Sequence, residues 1–426
     1  MTLLLMPTAA AASVGSFGMA VQPDGKIVVA GGSGQVSPDR EFGAVARYLP
    51  NGKLDRGFGG GDGVVLLHGQ RPFTDVALQK DGRILVTSPQ GGEAGLTRLL
   101  PDGRLDKGFG EGGVLYGGAS SAWFPTSVAV AGDGGIFTGG MTGYLNDPAE
   151  HWYGWLYRIA PNGRSGDRWA GMTNGADDQP KTFINDFVFA PGGSVISAGT
   201  IAERGVGARQ HAVLARLLPR SVEPSGVPTG ADPSFGGGAG LVTSDFYPAS
   251  TLPEAANALS WARGKLLIAG EANGDLLVAR YSRDGLLDNG FGHRGFSVAT
   301  LGRGSTDAAY ALAVDAKGRI FTAGASTHPC PGGSCTSLLL ARFGKDGRLT
   351  RRFGHGGLVT PPVAGRVSRE LAFDLALRPK GKVLVGGLAG SGGFFLRRYL
   401  TDGRPDNAFG RQGRVATQPV AAERAR

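Results

Sequence analysis

The groups in this chain that could do chemistry are few, and their spacing excludes most of the usual chemistries. Its two cysteines lie in Cys330-Pro-Gly-Gly-Ser-Cys335, where a Pro-Gly-Gly-Ser turn can bring two sulfurs within disulfide reach. The redox spacing Cys-x-x-Cys is absent, and a metal site built on the pair would have only His328 near in sequence. A disulfide pinning this loop is the reading carried forward. The six histidines show no His-x-x-x-His spacing with a carboxylate partner. His293 and His355 follow Phe-Gly and decorate turns, while His151, His211 and His328 fall where surface loops are expected. Asp177 and Asp178 form a local acidic pair that could help to bind calcium, but lack the alternation of oxygen ligands that a calcium loop uses. No metal site and no cofactor is assigned, and calcium stands as the one candidate ion. There is no Gly-x-Ser-x-Gly elbow and no phosphate-cradling loop entering a helix.

The elements that would position any such group come from a repeat. The glycine of an Asp-Gly-Lys type of turn recurs at Gly25, Gly82, Gly134, Gly193, Gly264, Gly318 and Gly381. An arginine follows at Arg47, Arg98, Arg158, Arg216, Arg280, Arg342 and Arg398. An aromatic, generally in Phe-Gly, closes each unit at Phe58, Phe109, Trp169, Phe235, Phe291, Phe353 and Phe409. Arginine to aromatic is 11 residues in six units and 19 in the fourth, where Pro219 to Gly230 carries the excess. The stretch from turn glycine to arginine varies, so part of each unit is rigid and part is free to lengthen.

Each unit reads as four strands. In the second, Asp75–Gln79, Arg83–Thr87 and Leu96–Leu100 are short aliphatic runs bounded by Gly, Pro and Asp, and a fourth strand runs from Arg104 towards Phe109. Pro-Asp-Gly or Pro-Asn-Gly suits a three-residue hairpin loop with glycine in the left-handed position. Such a loop at Pro50-Asn51-Gly52 sets Leu49 opposite Lys53 and Arg47 opposite Asp55. The same pairing relates Arg98 to Asp106, Arg280 to Asp288 and Arg398 to Asp406, which predicts a repeated cross-strand Arg–Asp pair. The third and sixth units carry Gly166 and Thr350 at the acidic position; Asp167 is the available substitute in the third.

A unit of this size cannot bury its apolar face alone, and radial repetition hides each sheet between two neighbours. The expected fold is all-β: a seven-bladed β-propeller of four-stranded antiparallel blades over residues 17–417, with 1–16 a truncated signal segment or flexible N-terminus and 418–426 a flexible tail. The strings Asp24–Gly31 and Ala46–Gly59 resemble the bacterial delta-60 repeat, and more distantly the NHL class of propellers. That resemblance implies a propeller, often on exported or surface proteins of bacteria, and no particular activity.

Alternating strands put the first–second and third–fourth turns at one end of the ring. The second–third loops and the links between blades lie at the other end, which holds most of the variation and is the expected binding face. Its aromatics are Trp123 and Phe124, then Tyr144, His151, Trp152, Tyr153 and Trp155, then Phe246 and Tyr247. They suit stacking on sugars or anchoring a protein partner; the competing reading is that they cap the third blade, which lacks Phe-Gly. Asp75, Asp186 and Asp374 share one repeat position at the start of the inner strand. They serve either backbone groups there or an enzyme site at the channel mouth.

Composition agrees with this architecture. Glycine makes up 75 of 426 residues without a collagen period, and 41% of residues are hydrophobic, so the chain has material for a core built of short strands and tight turns. The net charge of +9 is spread along the chain, and seven of its arginines are one repeat position. A nucleic-acid partner is therefore not expected. Met1–Ser13 has the apolar run and small-residue end of a secretory signal without its basic leader, and no stretch is long and apolar enough to span a bilayer. The expectation is a monomeric, non-catalytic binding or scaffold propeller, extracellular or on the cell surface, recognising a glycan or protein. The alternative is a lyase or hydrolase acting on a polymer at the channel mouth.

Overall fold

The structure, a computed structural model, describes residues 17–33, 42–89, 94–116, 122–143, 152–164, 166–171, 181–203, 209–218, 230–238, 240–330, 333–361, 370–390 and 393–419. They form seven four-stranded antiparallel sheets, each contiguous in sequence. Blade one is β1 (Gly18–Val21), β2 (Ile27–Ser33), β3 (Phe42–Tyr48) and β4 (Val64–His68); blade two is β5 (Asp75–Leu78), β6 (Ile84–Thr87), β7 (Ala94–Leu99) and β8 (Val114–Tyr116). Blade three is β9 (Ala122–Val130), β10 (Ile136–Gly143), β11 (Trp152–Ile159) and β12 (Gly166–Gly171); blade four is β13 (Lys181–Phe189), β14 (Val195–Ala202), β15 (Gln210–Leu217) and β16 (Leu241–Ser244). Blade five is β17 (Glu254–Ala262), β18 (Lys265–Ala272), β19 (Asp275–Ser282) and β20 (Phe296–Ala299); blade six is β21 (Thr306–Val314), β22 (Ile320–Cys330), β23 (Gly333–Phe343) and β24 (Leu358–Val359). Blade seven is β25 (Glu370–Arg378), β26 (Lys382–Ala389), β27 (Gly393–Tyr399) and β28 (Arg414–Thr417). The described residues contain no α-helix.

Middle strands are buried on both faces because each sheet is sandwiched between two others; every residue of Phe42–Tyr48 is buried. The core is accordingly divided. Among the described residues one apolar cluster fills each of the seven gaps between blades, as where Val28, Val45 and Phe58 meet Phe73, Ile84 and Leu99. Phe17, Val29 and Phe42 of blade one likewise meet Leu384, Phe394 and Phe409 of blade seven.

The repeat landmarks are the parts of a device that docks each blade on the next. In blade one, Leu49 N–H donates to Lys53 O at 2.7 Å and Asp55 N–H to Arg47 O at 2.8 Å, which sets the three-residue turn. Arg47 Nε then donates to Asp55 Oδ2 at 2.8 Å, its guanidinium lies 4.6 Å over the Phe58 ring, and Nη1 donates to Pro101 O in the turn of blade two. The Gly59 N–H donates to Asp102 O in that same turn at 3.0 Å. The turn glycine itself, Gly103, has φ +92°, and a Cβ there would sit 2.9 Å from Phe58, so the ring packs against a residue that must lack a side chain.

This pattern runs around the ring. Arg98 reaches Pro161 O at 2.5 Å, Arg280 reaches Lys345 O at 2.6 Å, Arg342 reaches Thr401 O at 2.5 Å, and Arg216 reaches Arg283 O at 3.5 Å. Pairing within the blade accompanies it: Arg98–Asp106 at 2.8 Å, Arg280–Asp288 at 3.0 Å, Arg398–Asp406 at 2.6 Å. The fourth blade adds Arg216–Asp232 at 2.7 Å, across the long insertion that hid it in the sequence.

The cation that follows the turn glycine is a second partner of the same aspartate: Lys26 on Asp55 at 3.2 Å, Lys265 on Asp288 at 2.9 Å and Lys382 on Asp406 at 2.7 Å. Blades three and six depart from the scheme. Arg158 lies opposite Asp167 in strand register, and its Nη2 donates to Asp133 at 2.7 Å, in the first turn of its own blade. Arg342 faces Thr350 and keeps its place over Phe353 at 4.6 Å.

Candidate functional site

First strands line the central channel, and in five of the seven the pairing slips by one residue. Among the described residues, Thr126, Asn185, Asn257, Tyr310 and Phe373 are bulged residues skipped by the ladder; Phe17 and Thr74 hold the corresponding place just before β1 and β5. A bulge crowds its partner strand, and the partner there is glycine: a Cβ on Gly199 would lie 1.8 Å from Phe183 O. That explains the glycine within these second strands, at Gly140, Gly199, Gly270, Gly324 and Gly387.

Bulged side chains and their successors surround a cavity of about 240 Å³ at the axis. Asp75, Asp186 and Asp374 are three of those successors. Each carboxylate accepts the N–H of the following residue, Val76 at 2.7 Å, Phe187 at 2.7 Å and Leu375 at 2.6 Å. The other oxygen accepts an N–H from the next blade, Val128 at 2.8 Å, Leu259 at 2.7 Å and Met19 at 2.9 Å. Thr74 and Thr126 complete the girdle by donating to Pro125 O at 2.9 Å and Ile184 O at 2.7 Å, and Asn257 donates to Ala309 O at 3.0 Å.

Burial pushes Asp75 up to about 8, against the pull of the Val128 and Val76 N–H groups, with the Asp374 and Asp186 charges adding to the rise. Burial likewise pushes Asp186 and Asp374 up to about 7. With both oxygens of each carboxylate on main-chain donors, this geometry clamps first strands together across three of the blade joins.

The aromatics expected on loops of blade three lie in its strands instead, Trp123 and Phe124 in β9 and Trp152, Tyr153 and Trp155 in β11. Trp123 pairs with Thr142 and Trp152 with Gly143 in backbone register at the edge of blade three. Phe124 is half-buried. Tyr153 and Trp155 are buried and pack into blade three. Tyr144, His151, Asp177 and Asp178 lie outside the described residues, as do residues 1–16 and 420–426.

Phe246 is 8% exposed and belongs to the core between blades four and five, not to an open surface. Its ring lies 5.0 Å from Phe296, and Tyr247, half-buried, meets Phe296 edge-on at 5.7 Å. Their backbone is held by Glu254, whose carboxylate accepts the Phe246 N–H at 3.0 Å and the Tyr247 N–H at 2.8 Å.

Sequence reasoning missed that acid and its equivalents. Glu254, Asp307 and Glu370 all lie three residues before a bulge and are buried. Asp307 accepts the Leu301 N–H at 2.9 Å, and Glu370 accepts Arg397 and Arg414, each at 2.7 Å. An acid recurring at one offset before the inner strand was the available signal. His211 was expected on a surface loop but lies in β15 and is buried, and His328 lies in β22. Cys330 and Cys335 form a disulfide at the end of the β22–β23 hairpin.

Three stretches of the chain, residues 22–58, 264–291 and 379–409, match a family described as a domain of unknown function (DUF5122), beta-propeller. They fall in blades one, five and seven and span the second strand, the arginine and the aspartate that pairs with it. The chain is a seven-bladed β-propeller. No curated protein matches it.

Solved structures that resemble it include a protein of unknown function from Dyadobacter fermentans, at 11% identity over 77% of this chain and 94% of that one, with a TM-score of 0.41. Another is PorZ of Porphyromonas gingivalis, described as an essential bacterial surface component of the type-IX secretion system. It is 11% identical over 90% of this chain and 40% of its own length, with a TM-score of 0.36. An exo-1,5-alpha-L-arabinanase from a bovine ruminal metagenomic library is 13% identical over 65% of this chain and 94% of that one, with a TM-score of 0.34.

Proposed function

We propose that this protein is an exported, non-catalytic binding or scaffold propeller of the delta-60 repeat type, which recognises a glycan or a protein partner through its loop face. The observation that carries this reading is the division of labour between the two ends of the ring. At one end the turns dock blade on blade through a repeated set of hydrogen bonds. At the other, the second–third connection shrinks to Asn273–Gly274 in blade five and extends over residues 34–41 in blade one. Sequence that varies on a rigid support is where recognition is built. The channel aspartates favour binding over an enzyme at the channel mouth, since their oxygens are engaged in the ring itself. We propose further that the ring acts as a monomer at the cell surface or outside it, without a nucleic-acid partner.

The test is a glycan and polysaccharide binding screen on the full chain beside the triple variant Trp123→Ala/Tyr144→Ala/Trp152→Ala. Selective binding that the variant loses, with its melting curve unchanged, supports the reading and locates the face. Binding that survives in the variant moves the site away from blade three. Silence in the screen and against protein partners, together with turnover of a polymer that requires Asp75 or Asp186, would replace the reading with the enzyme.

A further inference from the structure

We propose that His211, Asp245 and Glu254 form a binding site for one divalent transition-metal ion of the zinc type, at the loop end of the seam between blades four and five. The three residues come from separate segments that the fold brings together. His211 is near the start of β15, Asp245 directly follows β16, and Glu254 opens β17 of the next blade. The Ala212–Ser244 rung of the β15–β16 ladder sets His211 and Asp245 side by side.

One donor atom from each residue lies within 4.8 Å of the other two, and His211 Nδ1 is 3.8 Å from Glu254 Oε2. Donors bound tetrahedrally at about 2.0–2.2 Å to one ion stand about 3.3–3.6 Å apart. The histidine and the glutamate, at 3.8 Å, are close to that spacing. Asp245 is exposed and would move inward by about 1 Å to reach that spacing, releasing Arg209, which it holds at 2.9 Å and 3.0 Å.

The independent observation is the state of the imidazole. His211 is 6% exposed, and its Nδ1 has no hydrogen-bond partner among the described residues. Its Nε2 faces Glu203 Oε1 at 3.3 Å. A proton on Nε2 donated to Glu203 leaves the Nδ1 lone pair aimed at a carboxylate oxygen, too far for a hydrogen bond and repulsive unless a proton or a metal cation stands between them. Glu203 would then orient the ligand, as carboxylates do behind metal-bound histidines.

Glu254 is a buried acid whose carboxylate meets main-chain N–H groups and lies beside this imidazole and Asp245, so its charge carries a cost of desolvation. A bound dication offsets that cost. One imidazole and two carboxylates suit zinc and its neighbours, whereas calcium takes oxygen ligands alone. Three protein ligands leave a fourth position for water or for a donor from a partner. The site stands independently of the glycan or protein reading above.

The experiment titrates metal-free full chain with Co²⁺, read by its visible ligand-field absorption, followed by displacement with Zn²⁺. One equivalent per chain is expected. His211→Ala should lose the band, Asp245→Ala should weaken binding at least tenfold, and Glu203→Gln should weaken it about tenfold through the lost orienting contact. Glu254→Gln disturbs the link it holds, so the double variant His211→Ala/Asp245→Ala, with melting curve and circular dichroism matched to wild type, is the reference for a lost site. The proposal is overturned if wild type binds no more Co²⁺ than this reference, if affinity is unchanged in both single variants, or if Ca²⁺ at equal concentration displaces the ion.

Discussion

The guanidinium of Arg398, in the last blade, donates from Nη1 to the carbonyl of Pro50 in the first, at 2.7 Å. This bond closes the ring. Blade one contains only the first four strands and blade seven only the last four, so no strand is shared across the join. The seam relies instead on the docking device that joins blade one to two, two to three, four to five, five to six and six to seven. Gly410 N–H donates to Asn51 O at 3.0 Å, Met19 N–H donates to Asp374, and Phe17 packs edge-on against Phe394 at 5.8 Å.

Removing the same device at an internal joint and at the seam should therefore have different consequences. Arg280→Ala and Arg398→Ala each lose an aspartate pair and a turn carbonyl, and each should cost about 1.5–3 kcal/mol in urea unfolding. Only Arg398→Ala should also speed hydrogen exchange in β1, β2 and β27, because blades one and seven have no sequence connection to hold them together. Equal exchange patterns in the two variants would show that the seam is closed by other contacts.

The turn glycines separate backbone strain from ring packing. Gly103 and Gly264 both have positive φ, at +92° and +73°, but a Cβ on Gly103 meets Phe58 at 2.9 Å while one on Gly264 meets nothing within 4 Å. Gly264→Ala should cost about 1–2 kcal/mol from the left-handed backbone alone. Gly103→Ala should cost about 1–3 kcal/mol more, because Phe58 must leave the joint between blades one and two. Equal melting temperatures for the two variants would remove the docking role assigned to this turn.

The channel carboxyls give stability a definite slope with pH. Asp75, Asp186 and Asp374 titrate near 8, 7 and 7 in the folded ring against 3.8 in an ordinary setting. The folded chain therefore holds protons that the unfolded chain has released, and stability falls as pH rises from about 4 to about 8. Carboxyls held low act elsewhere. Asp288, lowered by its bond from Lys265 and the Arg280 charge, adds stability above the ordinary range and loses it as pH falls further. Urea midpoints should drop between pH 5 and pH 8, and the drop should shrink in Asp75→Ala. A midpoint that rises over this interval would contradict the assignment.

The disulfide should act locally. Cys330 and Cys335 are five residues apart, and closing so short a loop removes little entropy from the unfolded chain, about 2 kcal/mol. Cys330→Ser/Cys335→Ser should lower stability by no more than that and speed exchange only at the end of the β22–β23 hairpin. Loss of cooperative unfolding across the ring would mean that the hairpin supports more than itself.

The number of blades, the order of strands, the three-residue turns and the Arg47–Asp55 type of pair were legible in the residues alone. Each is a contact made inside one unit at fixed spacing, and seven copies average out the noise of any one. Contacts between units are not written that way. That Arg398 also reaches Pro50 and that Asp75 clamps Val128 depend on the angle between sheets. Phe246 read as a loop aromatic because nothing nearby in sequence shows that Phe296 will cover it. His211 and Glu254 lie in different blades, and only the closing of one sheet against the next faces an unpaired nitrogen towards a buried acid.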